Sequence, residues 1–528
     1  MYNAIKKTIL LASSIGFIAT LIILVIFREN MDVFAANTFT IPNAALLVFG
    51  LCILIPLFLI NRKHGEAIER FLSKNTLIML LVSLALLLGF RLLVSTEGYF
   101  TPGWDAGTVL NTTISLIRGT DITNPEYYSR FPNNLLIIWI YSQIGKLAVL
   151  FRINTIGYVL LAFQSVICVS SLLLVFLITR DMTGSIKPAW FAYLLSYLFV
   201  GLSPWFMIAY SDATGIVFPL LIIRLYQISK RCQRPLVVLL LRFLIGLLSM
   251  ASFYIKPQLF IAFIAVIIID LAGLLKKETP VQSISLQRKI VSVTADLVSV
   301  LAGIALFLAI YNYLIVPSIP IKIDPEMRAG VNHYIMMGLN DSTDGVYSDP
   351  DYVYSYSFVT NTERDAADMD LALQRIKDYG AIGLLRHLAD KQVVNYGDGT
   401  FGWLIEGGFF DTWSYRTESG IGRFIKYTIN GSGIKYQIFK NTSQMIWLAI
   451  MFLIIFTLFS NGFGRKGTAN KDAVDMDTLL VLTLSVIGLT VFELLFEARA
   501  RYLFCYAPVY VIMASIGFRN LCHVLRRK

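Results

Sequence analysis

Five ionisable residues stand where polar turns meet long apolar runs: Asp105, Asp212, Lys256, Arg499 and Arg501. Asp105 follows Pro102 and Gly103. The stretch Ala106 to Arg118 behind it carries Val109, Leu110, Ile114 and Ile117 on one helical face and ends at Gly119. This pattern predicts an amphipathic helix along a membrane surface, with Asp105 at its start. Two roles suit that carboxylate. It is either a helix N-cap, contributing about 1 kcal/mol, or a general base at the water–lipid boundary that takes a proton from an acceptor hydroxyl. Asp212, in Tyr210-Ser211-Asp212, either orients an acceptor or a helix end, or caps the span that begins at Ala213. Lys256 can snorkel from a span end to the interface. Arg499 and Arg501 can anchor a helix end or pair with Glu497. Asp121, Glu126 and Arg130 read as solvated loop charges. His64, His333, His387 and His523 show no HxxxH or HxxE spacing, and the cysteines at 52, 168, 232, 505 and 522 no CxxC, so no metal or redox motif follows.

The elements that position these residues are membrane spans. Of 528 residues, 56% are AVILMFWYC and 15% are DEKR, with a mean hydropathy of +0.67. A soluble chain is about 25% charged, so a soluble or disordered protein is excluded. The formal charge of +11 sits in short clusters between apolar runs, which marks loops held on the cytoplasmic side and offers no continuous face to nucleic acid. Runs of crossing length lie near 9–27, 42–60, 76–94, 154–178, 188–204, 214–228, 236–254, 258–275, 289–316, 445–460, 478–496 and 503–518. The first, after Lys6 and Lys7, reads as an uncleaved span, being longer than a usual signal core.

A further run, 133–151, decides the topology. If it does not cross, and residues 1–8 are cytoplasmic, the loops 61–75, 179–188, 229–235, 275–289 and 461–477, the tail 518–528 and those first residues carry 22 Lys and Arg inside, against 6 in the short outer loops. Crossing would turn most later basic clusters outward. Ser142, Gln143 and Lys146 interrupt the run, and a charge deep in a lone span costs roughly 2.5–3.5 kcal/mol. It is therefore expected to lie in the outer interface or to dip in and return, with both termini cytoplasmic.

The resulting layout is a pair of spans in 1–75, a core in 76–316 with outer loop 95–132, an outer cap in 317–444, and terminal spans in 445–528. The cap segment has 16 acidic and 12 basic residues. Within it, Thr362 is expected to cap a helix with Ala366, Met369, Leu373 and Ile376 as its apolar stripe, stopped at Gly380. A second helix, about 381–394, carries Ile382, Leu385 and Leu388 on one side.

An acidic residue in a first long outer loop, an interfacial helix, Phe131-Pro132-Asn133-Asn134, the turn Arg180 to Gly184, Ser203-Pro204 before Asp212, Lys256-Pro257, and Arg501-Tyr502 before Pro508 follow one another in this order. The series resembles the GT-C superfamily of membrane glycosyltransferases, nearest the protein O-mannosyltransferases and the lipid A aminoarabinose transferases. Departures are Ala106 where many relatives carry a second acid, two additional early spans, and a cap unlike any familiar module. The expected fold is an all-α polytopic GT-C-like bundle of about twelve transmembrane helices with interfacial helices and a small extracytoplasmic cap.

The resemblance implies transfer of a sugar, of hexosyl type, from a polyprenyl-phosphate donor to an extracytoplasmic glycan, protein or lipid acceptor. Asp105 and Asp212 would be catalytic, and Arg501, Arg499 and Lys256 would bind the donor phosphate. Arginine suits that task because its planar fork makes two parallel charge-assisted bonds. A divalent cation stays open as a cofactor, with no ligand set assigned. Membrane lipids are the other expected partners. The alternatives are a transporter or flippase of a lipid-linked sugar, which tends to place charges near the midplane, and a non-catalytic scaffold.

Overall fold

The structure, a computed structural model, describes residues 2–26, 40–275, 286–403, 419–430, 433–463 and 474–526. Among these, all regular structure is helical, as expected where a bilayer gives backbone groups no water to bond. Hydroxyls within the spans turn back onto their own helix, as in Ser14 to the Leu10 carbonyl (2.7 Å), Thr179 to Val175 (2.8 Å) and Ser249 to Ile245 (2.6 Å).

The chain opens with α1 (Tyr2–Ile26) and α2 (Asn43–Glu97). The shorter α3 (Trp104–Arg118), α4 (Glu126–Arg130) and α5 (Leu135–Leu150) follow. Next come α6 (Ile156–Thr183), α7 (Ile186–Ser196), α8 (Ser211–Gly215), α9 (Val217–Arg231), α10 (Pro235–Ile255), α11 (Ile261–Gly273) and α12 (Leu286–Ile310). Then α13 (Val331–Gly338), α14 (Asp349–Ser355), α15 (Asn361–Tyr396) and α16 (Gly420–Ile429) precede α17 (Ile434–Phe463), α18 (Met476–Leu495) and α19 (Ala507–Arg526).

Nine helices among the described residues are long and apolar enough to cross a membrane. The twelve expected runs reduce to nine because 42–60 and 76–94 share the continuous α2, while 188–204 and 258–275 fall on the shorter α7 and α11. The protein is a multi-pass membrane protein. Its lipid-facing sides are apolar, with Leu77 71% and Leu236 80% exposed. Most of the loops 28–41, 275–289 and 461–477 lies outside the described residues.

Glycines bring some helices unusually close. A Cβ on Gly246 of α10 would strike the Val300 carbonyl of α12, and one on Gly303 of α12 would strike the Phe243 carbonyl of α10. Such small-residue seams replace the hydrophobic drive that lipid removes.

One end of the bundle is built from broken helices. A turn of π-helix, Tyr197–Gly201, and the 3-10 turn Pro204–Met207 separate α7 from α8. The 3-10 turn Pro257–Phe260 separates α10 from α11, and Ala500–Tyr506 separates α18 from α19. Proline opens the 3-10 turns at 204 and 257, where its missing N–H costs nothing. The Tyr506 hydroxyl ties the last two breaks together, donating to the Gln258 and Leu259 carbonyls at 3.0 and 3.2 Å. The opposite end is laced by polar contacts such as Arg526 to the Asn61 carbonyl (2.6 Å), Lys187 to Glu69 (2.9 Å) and Arg224 to Asp181 (2.6 Å).

The segment 133–151 holds α5, whose 16 residues fall short of the nine crossing candidates, among which α8 and α9 count together as Ser211–Arg231. Both of its ends stay with the broken-helix end: Asn134 bonds Tyr127, and Gly145 abuts Ile117 of α3. Several charges within or beside the spans are shut off from water. Glu493 is 0% and Arg91 1% exposed. Arg91 donates to the Ser203 carbonyl at 2.9 Å, and Arg242 pairs with Asp270 at 2.7 Å.

In the 317–444 region the cap of α15 is Thr360, whose hydroxyl accepts from Glu363 N while the Glu363 carboxylate accepts from Thr360 N. Thr362 lies inside the helix. The expected stripe also faces outward, with Leu373, Ile376, Ile382 and Leu385 exposed, while Arg364, Asp368, Ala372, His387 and Lys391 turn in. Polar residues take the inner face because they meet partners there: Arg364 donates to the Ser355, Glu326 and Phe358 carbonyls. Gly380, at φ 58°, breaks the helix as expected. Beyond Lys391 the chain runs into the bundle. Tyr396 bonds Thr490 and Tyr510, and the Trp403 ring meets Trp205.

Candidate active site

Helix α3 starts one residue before Asp105. Its N-cap is Gly103, with no side-chain cap bond, so Asp105 is not spent on capping. Gly107 lets the turn wind tightly, since a Cβ there would strike the Pro102 carbonyl. Trp104 holds a positive φ of 40°, uncommon for a residue with a side chain. Its indole stands edge-on to Tyr210 at 5.2 Å and lies under the Arg501 guanidinium at 4.7 Å. The α3 start and the 500–506 turn therefore meet through one aromatic ring.

Asp105 is partly exposed. Its carboxylate accepts a hydrogen bond from the Tyr210 hydroxyl at 3.5 Å, and the Tyr127 phenol neighbours it. Burial pushes its acidity constant above the ordinary carboxylate range. The Arg501 charge and the Tyr127 bond pull it back, and Glu497 and Arg499 act more weakly in opposite directions.

Asp212 is differently placed. It is 1% exposed, inside the first turn of α8 rather than capping it. Lys256 pairs with one carboxylate oxygen and Arg501 approaches the other at 3.5 Å. Lys256 is 7% exposed and lies over the Tyr502 ring at 4.0 Å, so it does not snorkel outward. Arg501 also packs on Tyr502 at 5.2 Å. Arg499 pairs with Glu497 at 2.9 Å, the pairing that its spacing allowed.

The turn that carries both arginines is pinned from α15. Lys391, 0% exposed, gives its three protons to the carbonyls of Gly338 (2.8 Å), Leu494 (2.9 Å) and Phe496 (2.6 Å). Burial draws its ammonium down to about 7. Ala498 N donates to the Gly345 carbonyl at 2.8 Å.

All five residues singled out from the sequence thus gather at the broken-helix end. Trp104, Tyr127 and Lys391 were missed, and Tyr502 was noted only as the neighbour of Arg501. The only signals for them were the aromatic density beside the charged turns and, for Lys391, none. Among the described residues the donor set does not suit a divalent cation, since Asp212 is already met by two cations and Glu497 pairs with Arg499. Among the described residues no cluster of three His, Cys, Asp or Glu side chains could hold a metal. What the recess offers is one carboxylate met by hydroxyls, beside guanidinium and ammonium groups suited to an oxyanion.

A family model described as "Conserved hypothetical integral membrane protein" matches residues 1–521. The chain belongs to that family. Among curated proteins none matches the sequence. Among solved structures, the chain is similar to the oligosaccharyltransferase AglB of Archaeoglobus fulgidus in complex with an inhibitory peptide and a dolichol-phosphate. The identity is 12% and the TM-score 0.41, covering 84% of this chain and 51% of that one. It is also similar to ArnT of Cupriavidus metallidurans bound to undecaprenyl phosphate, at 10% identity and TM-score 0.32, covering 84% and 78%. The chain spans about half the length of the archaeal enzyme.

Proposed function

We propose that this chain is a polyprenyl-phosphate-sugar-dependent glycosyltransferase of the plasma membrane. It moves a sugar, a hexose in the simplest case, to an extracytoplasmic acceptor hydroxyl on a glycan, protein or lipid. The observation that carries the reading is that Asp105 and Arg501, far apart in sequence, come together beside the Trp104 ring. A lipid-linked donor keeps its tail in the bilayer and its phosphate at the interface, so its enzyme needs a base and cations at a bundle end. The positive-inside bias supports an extracytoplasmic position for that end and cytoplasmic termini.

In the proposed step Asp105 takes the acceptor hydroxyl proton as the acceptor oxygen attacks the anomeric carbon. The bond from that carbon to the lipid phosphate breaks, and its electron pair leaves on the phosphate. Arg501, with Arg499 and Lys256 near it, steadies the departing charge. A single displacement inverts the anomeric centre. Asp212, bridging Lys256 and Arg501, acts as their counter-ion and holds them in place.

The test is sugar transfer in sealed right-side-out membrane vesicles, read as release of radiolabelled polyprenyl phosphate. Wild type should turn over and Asp105→Asn should fall by a factor of about 10²–10⁴, the usual contribution of a general base. Near-normal turnover by Asp105→Asn refutes the base, and transfer confined to inverted vesicles refutes the sidedness.

A further inference from the structure

The chain between α18 and the 500–506 turn is extended, with Phe496 at φ −106° and Arg499 at φ −156°. Backbone groups buried there must find partners outside a helix. Upstream of the arginines those partners come from the 317–444 region. Lys391 donates to the Leu494 and Phe496 carbonyls at 2.9 and 2.6 Å, and Ala498 N donates to the Gly345 carbonyl at 2.8 Å. Downstream, Tyr506 is tied to the turn after α10.

The surroundings are shaped to this lysine. Leu494 lies in the last turn of α18 and Gly338 closes α13, so the ammonium sits where the negative ends of two helix dipoles meet. It bonds carbonyls that lack an intrahelical partner. Two glycines make room for it. A Cβ on Gly338 would strike the Phe496 carbonyl and come within 3.0 Å of Lys391 Nζ. One on Gly345, at φ 76°, would meet the Gly338 carbonyl at 2.6 Å and Lys391 Cε at 2.9 Å. The Gly338 carbonyl also accepts from His387 Nε2 at 3.0 Å.

We infer that Lys391 is a positioning residue for the donor phosphate: by fixing the backbone from Leu494 to Ala498 it sets where Arg499 and Arg501 present their guanidinium groups. This rests on the glycosyl-transfer reading. Asp212, Trp104 and Tyr502 hold the tip of the Arg501 side chain, but not the backbone that carries it. A forked contact to phosphate depends on the placing of both N–H groups. Without the ammonium, three carbonyls lose their donor and the segment must shift to find others.

The measurement is binding of tritiated undecaprenyl phosphate to the full-length protein in nanodiscs, which needs no acceptor. Arg501→Ala should lose binding and gives the scale. Lys391→Met, similar in length but without the charge, should weaken binding about tenfold, as a charge-assisted contact is misplaced. Asp181→Ala breaks the ion pairs to Arg224 and Arg231 at the opposite end of the bundle and should keep wild-type affinity, which separates positioning from a general loss of stability. Wild-type affinity in Lys391→Met, or an equal loss in Asp181→Ala, overturns the inference. If Lys391→Met does not fold, Gly345→Ala, whose methyl group displaces the lysine, decides in the same way. Undecaprenyl phosphate bound as tightly by Arg501→Ala as by wild type would sink the glycosyl-transfer reading, whereas a loss in Arg501→Ala with none in Lys391→Met would sink this inference alone.

Discussion

Two aspartates of the same chemistry are given different surroundings by their neighbours. Asp212 is buried between Lys256 and Arg501, whereas Asp105 is partly exposed and accepts from the Tyr210 phenol. Arg501 is the residue on which both converge, stacked on Trp104 and Tyr502 while reaching Asp212. A lysine there keeps the charge but loses the planar stack and the fork. Arg501→Lys should therefore raise the KM for the lipid donor about tenfold, roughly 1.4 kcal/mol, with a smaller change in kcat. Steady-state kinetics with varied donor checks this, and an unchanged KM would mean a purely structural arginine. At this scale the sequence made the charges legible, because an ionisable residue at the end of an apolar run is costly and conspicuous. It did not disclose that Asp212 is paired, because its partners come from turns far along the chain.

Helix ends were legible where local chemistry decides them. Gly119 and Gly184 stop α3 and α6 in the left-handed region, at φ 68° and 63°. The cap of α15 was misplaced by two residues because Thr360 and Thr362 both precede acids, and only the reciprocal bond with Glu363 separates them. The apolar stripe of α15 misled for a different reason. Its polar residues find partners inside, and a helix exposing Leu373 and Ile382 contradicts the usual rule that the apolar face turns in. The α10–α12 seam depends on backbone approach at Gly246 and Gly303. Gly303→Val must push the helices apart and should destabilise the protein by about 1–3 kcal/mol, as overpacking does. Thermal unfolding in detergent reads this as a lowered Tm, and a wild-type Tm would mean that the seam is loose.

For the whole molecule, apolar run length and charge bias were enough to mark a multi-pass helical bundle, because the bilayer leaves the backbone few alternatives. They could not separate a hairpin of spans from the continuous α2, nor reveal that residues beyond Lys391 return into the bundle to pack on Trp205, Trp447 and Tyr510. That return couples the 317–444 region to the turns carrying the site, since Lys391 holds the Leu494 and Phe496 carbonyls just before Arg499 and Arg501. The central claim is that this bundle end receives a lipid phosphate beside a base. The most direct measurement is electron cryomicroscopy of the full-length protein in nanodiscs loaded with undecaprenyl phosphate. The expected result is phosphate density within hydrogen-bond reach of Arg501, open to Asp105 through the same recess. Phosphate seated at the opposite end, near Lys187 or Arg526, or in a pocket sealed off from Asp105, would contradict it.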